Sequence, residues 1–186
     1  MDLVDRFSDE LLEIESRKHP GDALTELAQR YSYVLPDETS LSALGGLGPL
    51  VELAAGTGYW AYRLAARGVD VIALDQAPPD GDRPNRYHAK TRTWTTVASG
   101  DETALSEYPD RALFLCWPPL FSSLGECLTY YTGEAVALIG DGGHRTARIR
   151  DLNETFTNTL VAPVQALEPF PGSPPTLSTW RRRRSR

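Results

Sequence analysis

An acidic residue and two glycines lie close together where an apolar run of the sequence gives way to a helical stretch. Residues 50–60 read LVELAAGTGYW, with Glu52 inside the apolar run and Gly56 and Gly58 in the turn that follows. A strand, a glycine turn and a helix form the usual cradle for a nucleotide-like ligand, because glycine lets a ligand approach the backbone closely. The spacing therefore predicts a site for an adenosine-containing ligand.

A second acidic residue, Asp75, ends the next apolar run, 23 residues after Glu52. A carboxylate at this place accepts hydrogen bonds from both hydroxyl groups of a ribose. The arrangement fits a dinucleotide such as NAD, and it equally fits S-adenosylmethionine. The stretch from Gly56 through Gly58 to Ala61 also satisfies the loose dinucleotide pattern, so the spacing leaves both ligands open.

The charge of Glu52 favours one of these two ligands. We expect Glu52 at the carboxyl end of the first strand, where a dinucleotide would bring two phosphate charges that a carboxylate repels. S-adenosylmethionine has no phosphate, and an acid attracts its ammonium and sulfonium groups. Tyr59 and Trp60 would also crowd a pyrophosphate on the first helical turn. The residues therefore favour S-adenosylmethionine over NAD.

The elements that position these residues alternate from residue 49 onward. Strands are predicted at 50–54, 69–75, 93–99, 111–117 and 134–140, and helices at 58–67 and 122–131. Several strands are apolar on both faces, as parallel strands beneath helices are. The extended runs 159–170 and 176–183 have no room for a crossover helix, so we expect an antiparallel hairpin. The sequence predicts a doubly wound, Rossmann-like α/β sheet, mostly parallel, with helices on both faces and a C-terminal antiparallel hairpin.

The residues before this alternation read as helical. Helices are predicted at 2–18, 22–31 and 39–47, with an extended segment at 32–36. We expect residues 1–48 to form an N-terminal helical extension that lies over the ligand as a lid, packs on one face of the sheet, or does both. Residues 49–183 form the predicted binding core, and residues 184–186 form a basic tail.

The segment VELAAGTGYW, followed by VDVIALD, resembles motifs I and II of the class I S-adenosylmethionine-dependent methyltransferases. The predicted hairpin is similar as well, since this family ends its sheet with an antiparallel strand inserted by a hairpin. The resemblance spans residues 49–183. Ala54 replaces the first glycine of the family's turn, and its methyl group is small enough to be tolerated.

The resemblance implies a role for each residue of the turn and of the next strand end. Glu52 anchors the methionine end of the cofactor, directly or through water. Ala54, Gly56 and Gly58 line the turn. Asp75 binds the ribose hydroxyl groups.

Other residues are implied around the adenine and the methionine. Gln76 covers one face of the adenine, and Gly100 with Asp101 resembles a Gly-Asp pair whose acid accepts the adenine amino group. Asp101 also suits the N-cap of a helix, and that alternative stays open. Cys116, interpreted as a small buried residue, and Tyr33 of the extension complete the residues expected to contact S-adenosylmethionine.

The fourth strand ends in FLCWPPLF, which resembles the N/D-Pro-Pro-aromatic motif of methyltransferases that act on exocyclic or amide nitrogens. Trp117 stands where that motif has the acceptor for the target amine, and Leu120 replaces its aromatic residue. Neither can do that job, so the motif does not indicate methylation of such nitrogens. Trp117 is a candidate for the wall of a substrate pocket or for a contact with the sulfonium.

The sequence does not identify a catalytic residue. His144 and Asp141 follow the fifth strand, at the sheet edge where a general base would act, but a surface position is the alternative for His144. A base is not required, because aligning the reactants alone supplies about 7–11 kcal/mol. We expect methyl transfer to a small-molecule acceptor. The alternatives are an S-adenosylmethionine-binding protein or cyclase that transfers no methyl group, and an NAD-dependent oxidoreductase.

Composition and charge disfavour several classes of protein. The net charge of −6 disfavours nucleic acid as a partner, and the arginine-rich end 181–186 is interpreted as a solvated chain end, or as a weak anionic contact. No apolar run approaches the roughly 20 residues of a membrane span, and the first residues lack the features of a secretion signal, so we expect a cytoplasmic protein. Three histidines and two cysteines show neither metal-ligand spacing nor a disulfide framework, and no metal is expected.

Overall fold

The computed structural model describes residues 20–88, 91–118, 124–140, 149–166 and 174–184. The α-helices are α1 (Pro20–Arg30), α2 (Glu38–Gly45), α3 (Tyr59–Ala65), α4 (Leu124–Tyr130) and α5 (Ile149–Thr155), and a 3₁₀ helix covers Glu102–Glu107. The strands are β1 (Val34–Leu35), β2 (Leu50–Leu53), β3 (Val71–Asp75), β4 (Val97–Ser99), β5 (Ala112–Cys116), β6 (Ala135–Gly140), β7 (Phe156–Pro163), β8 (Gln165–Ala166) and β9 (Thr176–Arg182). The predicted helix 2–18 lies outside the described residues.

Seven strands form one sheet in the order β4-β3-β2-β5-β6-β9-β7. The five strands from β4 to β6 are parallel, and β9 runs antiparallel to both β6 and β7. Every residue of β2 and of β6 is buried, because helices cover both faces of the sheet. The predicted fold class, including the C-terminal antiparallel hairpin, is confirmed.

The two faces of the sheet carry separate apolar cores, and alternation along β2 assigns its residues to them. Val51 and Leu53 pack with the core that includes α4 and α5, whereas Leu50 packs with Trp60 and other residues on the α2 and α3 side. Side chains of a strand alternate between faces, so Glu52 is directed to the same side as Leu50. The fold thus places a carboxyl group inside an apolar core.

The structure differs from the predicted elements in three places. Helix α5 was not predicted, because most of its residues are polar. The two-residue strands β1 and β8 lie within the predicted extended runs 32–36 and 159–170, but their pairing with each other was not predicted, since two residues give no periodic pattern. The predicted strand 93–99 was too long, since only β4 belongs to the sheet. The backbone N–H of Trp94 instead donates to the Thr57 carbonyl, which draws the preceding segment over the glycine turn.

Two residues of the arginine-rich end are structural. Arg182 donates to the carbonyl groups of Gly133 and Tyr131, and Arg183 donates to that of Phe156. For Arg182 the interpretation as a solvated chain end was wrong, because this residue is half-buried and belongs to β9. Arg183 is exposed, as that interpretation expects, although it donates a hydrogen bond to the chain. Among the described residues, no helix has the length and apolar character that a membrane span requires.

Candidate cofactor site

A cavity of about 570 Å³ lies at the carboxyl ends of β2, β3 and β5. Ligands of open α/β sheets bind at this edge, and the volume is typical of small-molecule sites. Ten residues predicted from the sequence line it: Tyr33, Glu52, Ala54, Gly56, Asp75, Gln76, Gly100, Asp101, Cys116 and Trp117. The fold therefore brings the glycine turn, two strand ends and part of the N-terminal extension around one space.

Glu52 is the most deeply buried acid of the cavity. Its side chain is 1% exposed, and its Oε2 has no hydrogen-bond partner among the described residues. Burial raises the pKa of Glu52 to about 8, and the neighbouring charge of Asp75 adds to this, while a hydrogen bond from the Ala61 backbone opposes it. Without a ligand the carboxyl group is therefore mostly protonated at neutral pH, so the sequence-based picture of a fixed negative charge needs correction.

Asp75 connects the glycine turn to the loop that follows β3. Its Oδ2 accepts from the backbone N–H of Gly56 at 2.8 Å, and its Oδ1 accepts from that of Ala77 at 2.9 Å. The side chain is nearly buried, at 7% exposed, and borders the cavity. Each carboxylate oxygen can accept more than one hydrogen bond, so both oxygens retain capacity for a ligand hydroxyl group.

The two glycines of the turn have different neighbours. Gly56 has a φ of +55°, and a Cβ at this residue would lie 2.7 Å from Nε2 of His88. Gly58 has a φ of +72°, and its Cβ would lie 2.8 Å from Cγ2 of Val97 and 3.0 Å from Cγ2 of Thr95. Gly58 is not among the residues that line the cavity. Protein atoms therefore occupy the space beside Gly58, and Gly56 is the glycine of this pair that faces the cavity.

In the described part of the chain, two residues other than glycine adopt left-handed backbone conformations, and both border the cavity. Ala54 has a φ of +60° and Trp117 a φ of +49°. They follow the paired strands β2 and β5, so they are neighbours at the sheet edge. A left-handed conformation costs an L-residue about 1–2 kcal/mol. Such strain concentrates where a ligand site requires a particular backbone course.

Asp101 and Cys116 both line the cavity, but a hydrogen bond already engages Asp101 and burial keeps the thiol of Cys116 protonated. Oδ1 of Asp101 accepts from the backbone N–H of Thr103 at 3.0 Å, which caps the 3₁₀ helix as the sequence alternative predicted. Burial, followed by the nearby Glu52, raises the pKa of Cys116 well above its usual range. The thiol is therefore neutral and is not suited to act as a nucleophile.

Residues 29–34, which we call the strap, are tied to the core by hydrogen bonds to consecutive carbonyl groups. The donors are His88 Nδ1 to Gln29 (2.8 Å), Trp94 Nε1 to Arg30 (2.7 Å) and Thr57 Oγ1 to Tyr31 (2.5 Å). At the far end of the strap, Trp60 Nε1 donates to Val34 at 3.0 Å. Tyr31, Ser32 and Tyr33 line the cavity between these ties. The strap is thus fixed over the site at several points.

The loop after β3 contributes to the cavity, which was not predicted from the sequence. Asn85, Arg86, Tyr87 and His88 all line the cavity. The presence of a histidine in a loop between two cofactor-site segments was the available signal, but nothing in the sequence places it near Gly56. The weak catalytic candidates His144 and Asp141 lie outside the described residues. The described part of the chain contains no group of three potential metal ligands.

The comparison with solved structures supports the fold. No protein-family model and no curated protein matches the sequence. Among solved structures, the S-adenosylmethionine-dependent methyltransferase of Anabaena variabilis ATCC 29413 is similar, with a TM-score of 0.51, 16% identity, and coverage of 88% of this chain and 93% of that chain. A second similar structure is described by the conversion of a disulfide bond into a thioacetal group during echinomycin biosynthesis. Its TM-score is 0.51 at 14% identity, and the match covers 77% of this chain and 81% of that chain. The chain has the class I S-adenosylmethionine-dependent methyltransferase fold.

In this methyltransferase fold, the sheet order explains why the site residues meet. Strands β2, β3 and β4 are adjacent and parallel, so Glu52, Asp75 and Gly100 all emerge at the same edge. Strand β9, inserted antiparallel between β6 and β7, lies on the other side of β5, away from these residues. The methyltransferase fold therefore positions the acids, while the strap and the loop after β3 close around them.

Proposed function

We propose that the chain is an S-adenosylmethionine-dependent methyltransferase that acts on a small-molecule acceptor. The observation that carries this proposal is the buried Glu52, which borders the cavity at the end of β2 and whose Oε2 has no hydrogen-bond partner in the part of the chain that the structure describes. A buried polar atom without a hydrogen bond costs free energy. The ammonium group of S-adenosylmethionine would donate to this oxygen and favour the charged carboxylate.

The remaining cavity residues fit the other parts of S-adenosylmethionine. Asp75 has acceptor capacity for ribose hydroxyl groups, and Gln76 and Asp101 border the region beyond it, where the adenine would lie. When bound, S-adenosylmethionine supplies a methyl group activated by its sulfonium. The chain contributes by fixing the two reactants in line and by excluding water with the strap.

The start of helix α3 supports a cofactor without phosphate. Thr95 and Val97 pack against Gly58, and Tyr59 and Trp60 in the first turn are each only 2% exposed. A pyrophosphate would need the space that these side chains occupy. Acidic residues also outnumber basic residues in the cavity lining, which favours a cationic ligand.

The aromatic character of the walls supports a small organic acceptor. Six aromatic residues line the cavity: Tyr31, Tyr33, Tyr59, Trp60, Tyr87 and Trp117. Apolar and aromatic walls with a few polar groups are typical of small-molecule sites. A cavity of about 570 Å³ must accommodate both cofactor and acceptor, which also favours a small acceptor.

Calorimetry with S-adenosylmethionine, S-adenosylhomocysteine and NAD tests the cofactor. We expect the first two to bind and NAD to fail. Glu52→Gln should weaken binding by about 10- to 100-fold, because it removes a charge-assisted hydrogen bond. Glu102→Gln is the matched control, since Glu102 lines the same cavity but is less buried, and it should change affinity by less than about threefold.

Release of S-adenosylhomocysteine, measured with and without a small-molecule cell extract, tests methyl transfer. An extract-dependent product is the expected result. Consumption of S-adenosylmethionine without S-adenosylhomocysteine would favour the cyclase alternative, and binding without turnover would favour the binding protein. Binding of NAD in place of S-adenosylmethionine would overturn the proposal.

A further inference from the structure

His88 connects three parts of the cofactor site. Its Nδ1 lies 2.8 Å from the carbonyl oxygen of Gln29 at the end of α1. The edge of its ring formed by Nε2 and Cδ2 lies against Gly56, at the position that a side chain of that residue would take. On the cavity side the ring contacts Tyr33, with centroids 5.8 Å apart.

The contact with Gln29 determines which ring nitrogen carries the proton. A carbonyl oxygen can only accept, so Nδ1 of His88 must donate. A neutral imidazole has one N–H group, which leaves Nε2 as an acceptor. Burial lowers the pKa of His88, although the Gln29 carbonyl and the charge of Asp75 oppose this, and the ring is therefore neutral at neutral pH.

The loop after β3 fixes His88 relative to Asp75. The backbone N–H of His88 donates to Oδ1 of Asn85 at 2.9 Å, and Nδ2 of Asn85 donates to the Ala77 carbonyl at 3.1 Å. Ala77 in turn donates its N–H to Asp75. His88 and Asp75 thus belong to one hydrogen-bonded frame, and both border Gly56.

We infer that helix α1 holds His88 in the tautomer whose Nε2 accepts a hydrogen bond from a ribose hydroxyl group of the cofactor, beside Asp75. A ribose presents two adjacent hydroxyl donors, and the frame presents two fixed acceptors at the glycine turn. His88 then determines specificity for a ribonucleoside. This inference rests on the proposed function, since it places the nucleoside part of the cofactor at Asp75.

Two substitutions separate the acceptor from the tie to α1. Asparagine places its amide nitrogen near the position of Nδ1, so His88→Asn retains a donor for Gln29 and removes the acceptor at Nε2. Glutamine reaches the position of Nε2 instead, so His88→Gln retains an acceptor and removes that donor. The thermal midpoint of each variant reports whether it folds.

Affinities for S-adenosylhomocysteine and for its 2′-deoxy and 3′-deoxy analogues test the inference by calorimetry. For the wild type, loss of the contacted hydroxyl group should weaken binding by about 3- to 10-fold. His88→Asn should lower the affinity for S-adenosylhomocysteine by a similar factor. The same variant should bind the analogue that lacks the contacted hydroxyl group almost as well as the wild type does, because two changes that remove the same contact are not additive. His88→Gln should retain discrimination between the ligands.

Nitrogen-15 NMR of the imidazole gives an independent readout. Without ligand, His88 should show a protonated Nδ1 and an unprotonated Nε2, and the Nε2 signal should shift when S-adenosylhomocysteine binds. If His88→Asn lowers the affinity for all three ligands by the same factor, the inference is overturned while the proposed function stays intact. The same holds if His88→Asn lowers turnover but not affinity. Failure of the wild type to bind S-adenosylhomocysteine would overturn both.

Discussion

Nε1 of Trp60 donates a hydrogen bond to the carbonyl oxygen of Val34 at 3.0 Å. Its ring also packs edge-on against Phe114, with centroids 5.4 Å apart. Thr57, in the glycine turn, donates to the carbonyl of Tyr31 in the same strap. Trp60, which follows the glycine turn, therefore stabilises the position of the strap. The turn and the strap form one hydrogen-bonded unit.

Trp60→Phe should reduce both stability and cofactor affinity. Phenylalanine is smaller, so it retains only part of the packing, and it leaves the Val34 carbonyl without its donor. The lost hydrogen bond alone should lower the free energy of unfolding by about 1–3 kcal/mol. Affinity should fall because the strap supplies Tyr31 and Tyr33 to the cavity. Denaturant unfolding and calorimetry with S-adenosylhomocysteine measure the two effects.

Trp180→Phe is the matched control for this variant. Nε1 of Trp180 donates to Oγ of Ser178 within β9, and neither residue lines the cavity. We expect a loss of stability with unchanged affinity. If Trp60→Phe behaves in the same way, the strap does not contribute to binding.

The free energy of unfolding of the ligand-free protein should fall as pH rises, because of Glu52. Its pKa is about 8 in the folded state against the ordinary value of 4.5, so the folded protein retains a proton that the unfolded chain has lost. The stability from this group is complete below the ordinary value and is lost as pH rises through the folded value, by at most about 1.4 kcal/mol per pH unit.

Denaturant titrations between about pH 7 and about pH 8 measure this slope above the ordinary pKa of histidine. Glu52→Gln should remove the decline, and saturating S-adenosylhomocysteine should reduce it, since an ammonium beside Glu52 favours the carboxylate. A wild-type slope equal to that of the variant would show that Glu52 is already ionised.

Gly58→Ala should be more destabilising than Gly68→Ala. Both glycines have similar positive φ angles, +72° and +78°, so both substitutions carry the cost of a left-handed residue. A Cβ at Gly58 would also overlap Val97, whereas nothing lies within 4 Å of a Cβ at Gly68. The additional loss at Gly58, measured by denaturant unfolding, should be about 1–3 kcal/mol. Equal losses would contradict the tight packing described for the turn.

Ala54→Gly should leave stability unchanged or raise it by up to about 1 kcal/mol. Glycine relieves the left-handed strain of Ala54 but adds freedom to the unfolded chain, and these effects partly cancel. Ala55→Gly is the control, because Ala55 has no positive φ angle and should lose about 0.5–1 kcal/mol. Thermal unfolding compares the two, and a loss at Ala54 as large as that at Ala55 would contradict the strain.

The short elements show where sequence patterns stop being informative. Strands β2, β5 and β6 were predicted because several consecutive buried residues leave an apolar run. The pairing of β1 with β8 was not predicted, although both lie in predicted extended runs, since two residues show no period. The third strand is shorter than predicted, because Trp94 packs over the turn rather than in the sheet. Periodicity detects elements that are long compared with their repeat, and it is silent on the rest.

The sequence by itself determined the parallel sheet, the closing hairpin and the positions of Glu52 and Asp75 at strand ends, because apolar runs and glycine turns encode these locally. Only the tertiary structure decided that burial raises the pKa of Glu52, that protein side chains occupy the space beside Gly58, and that His88 reaches the cavity. The hydrogen bonds that tie the strap join residues 26 to 64 positions apart. Burial and such distant contacts depend on where the whole chain lies, and no local pattern of residue types records that.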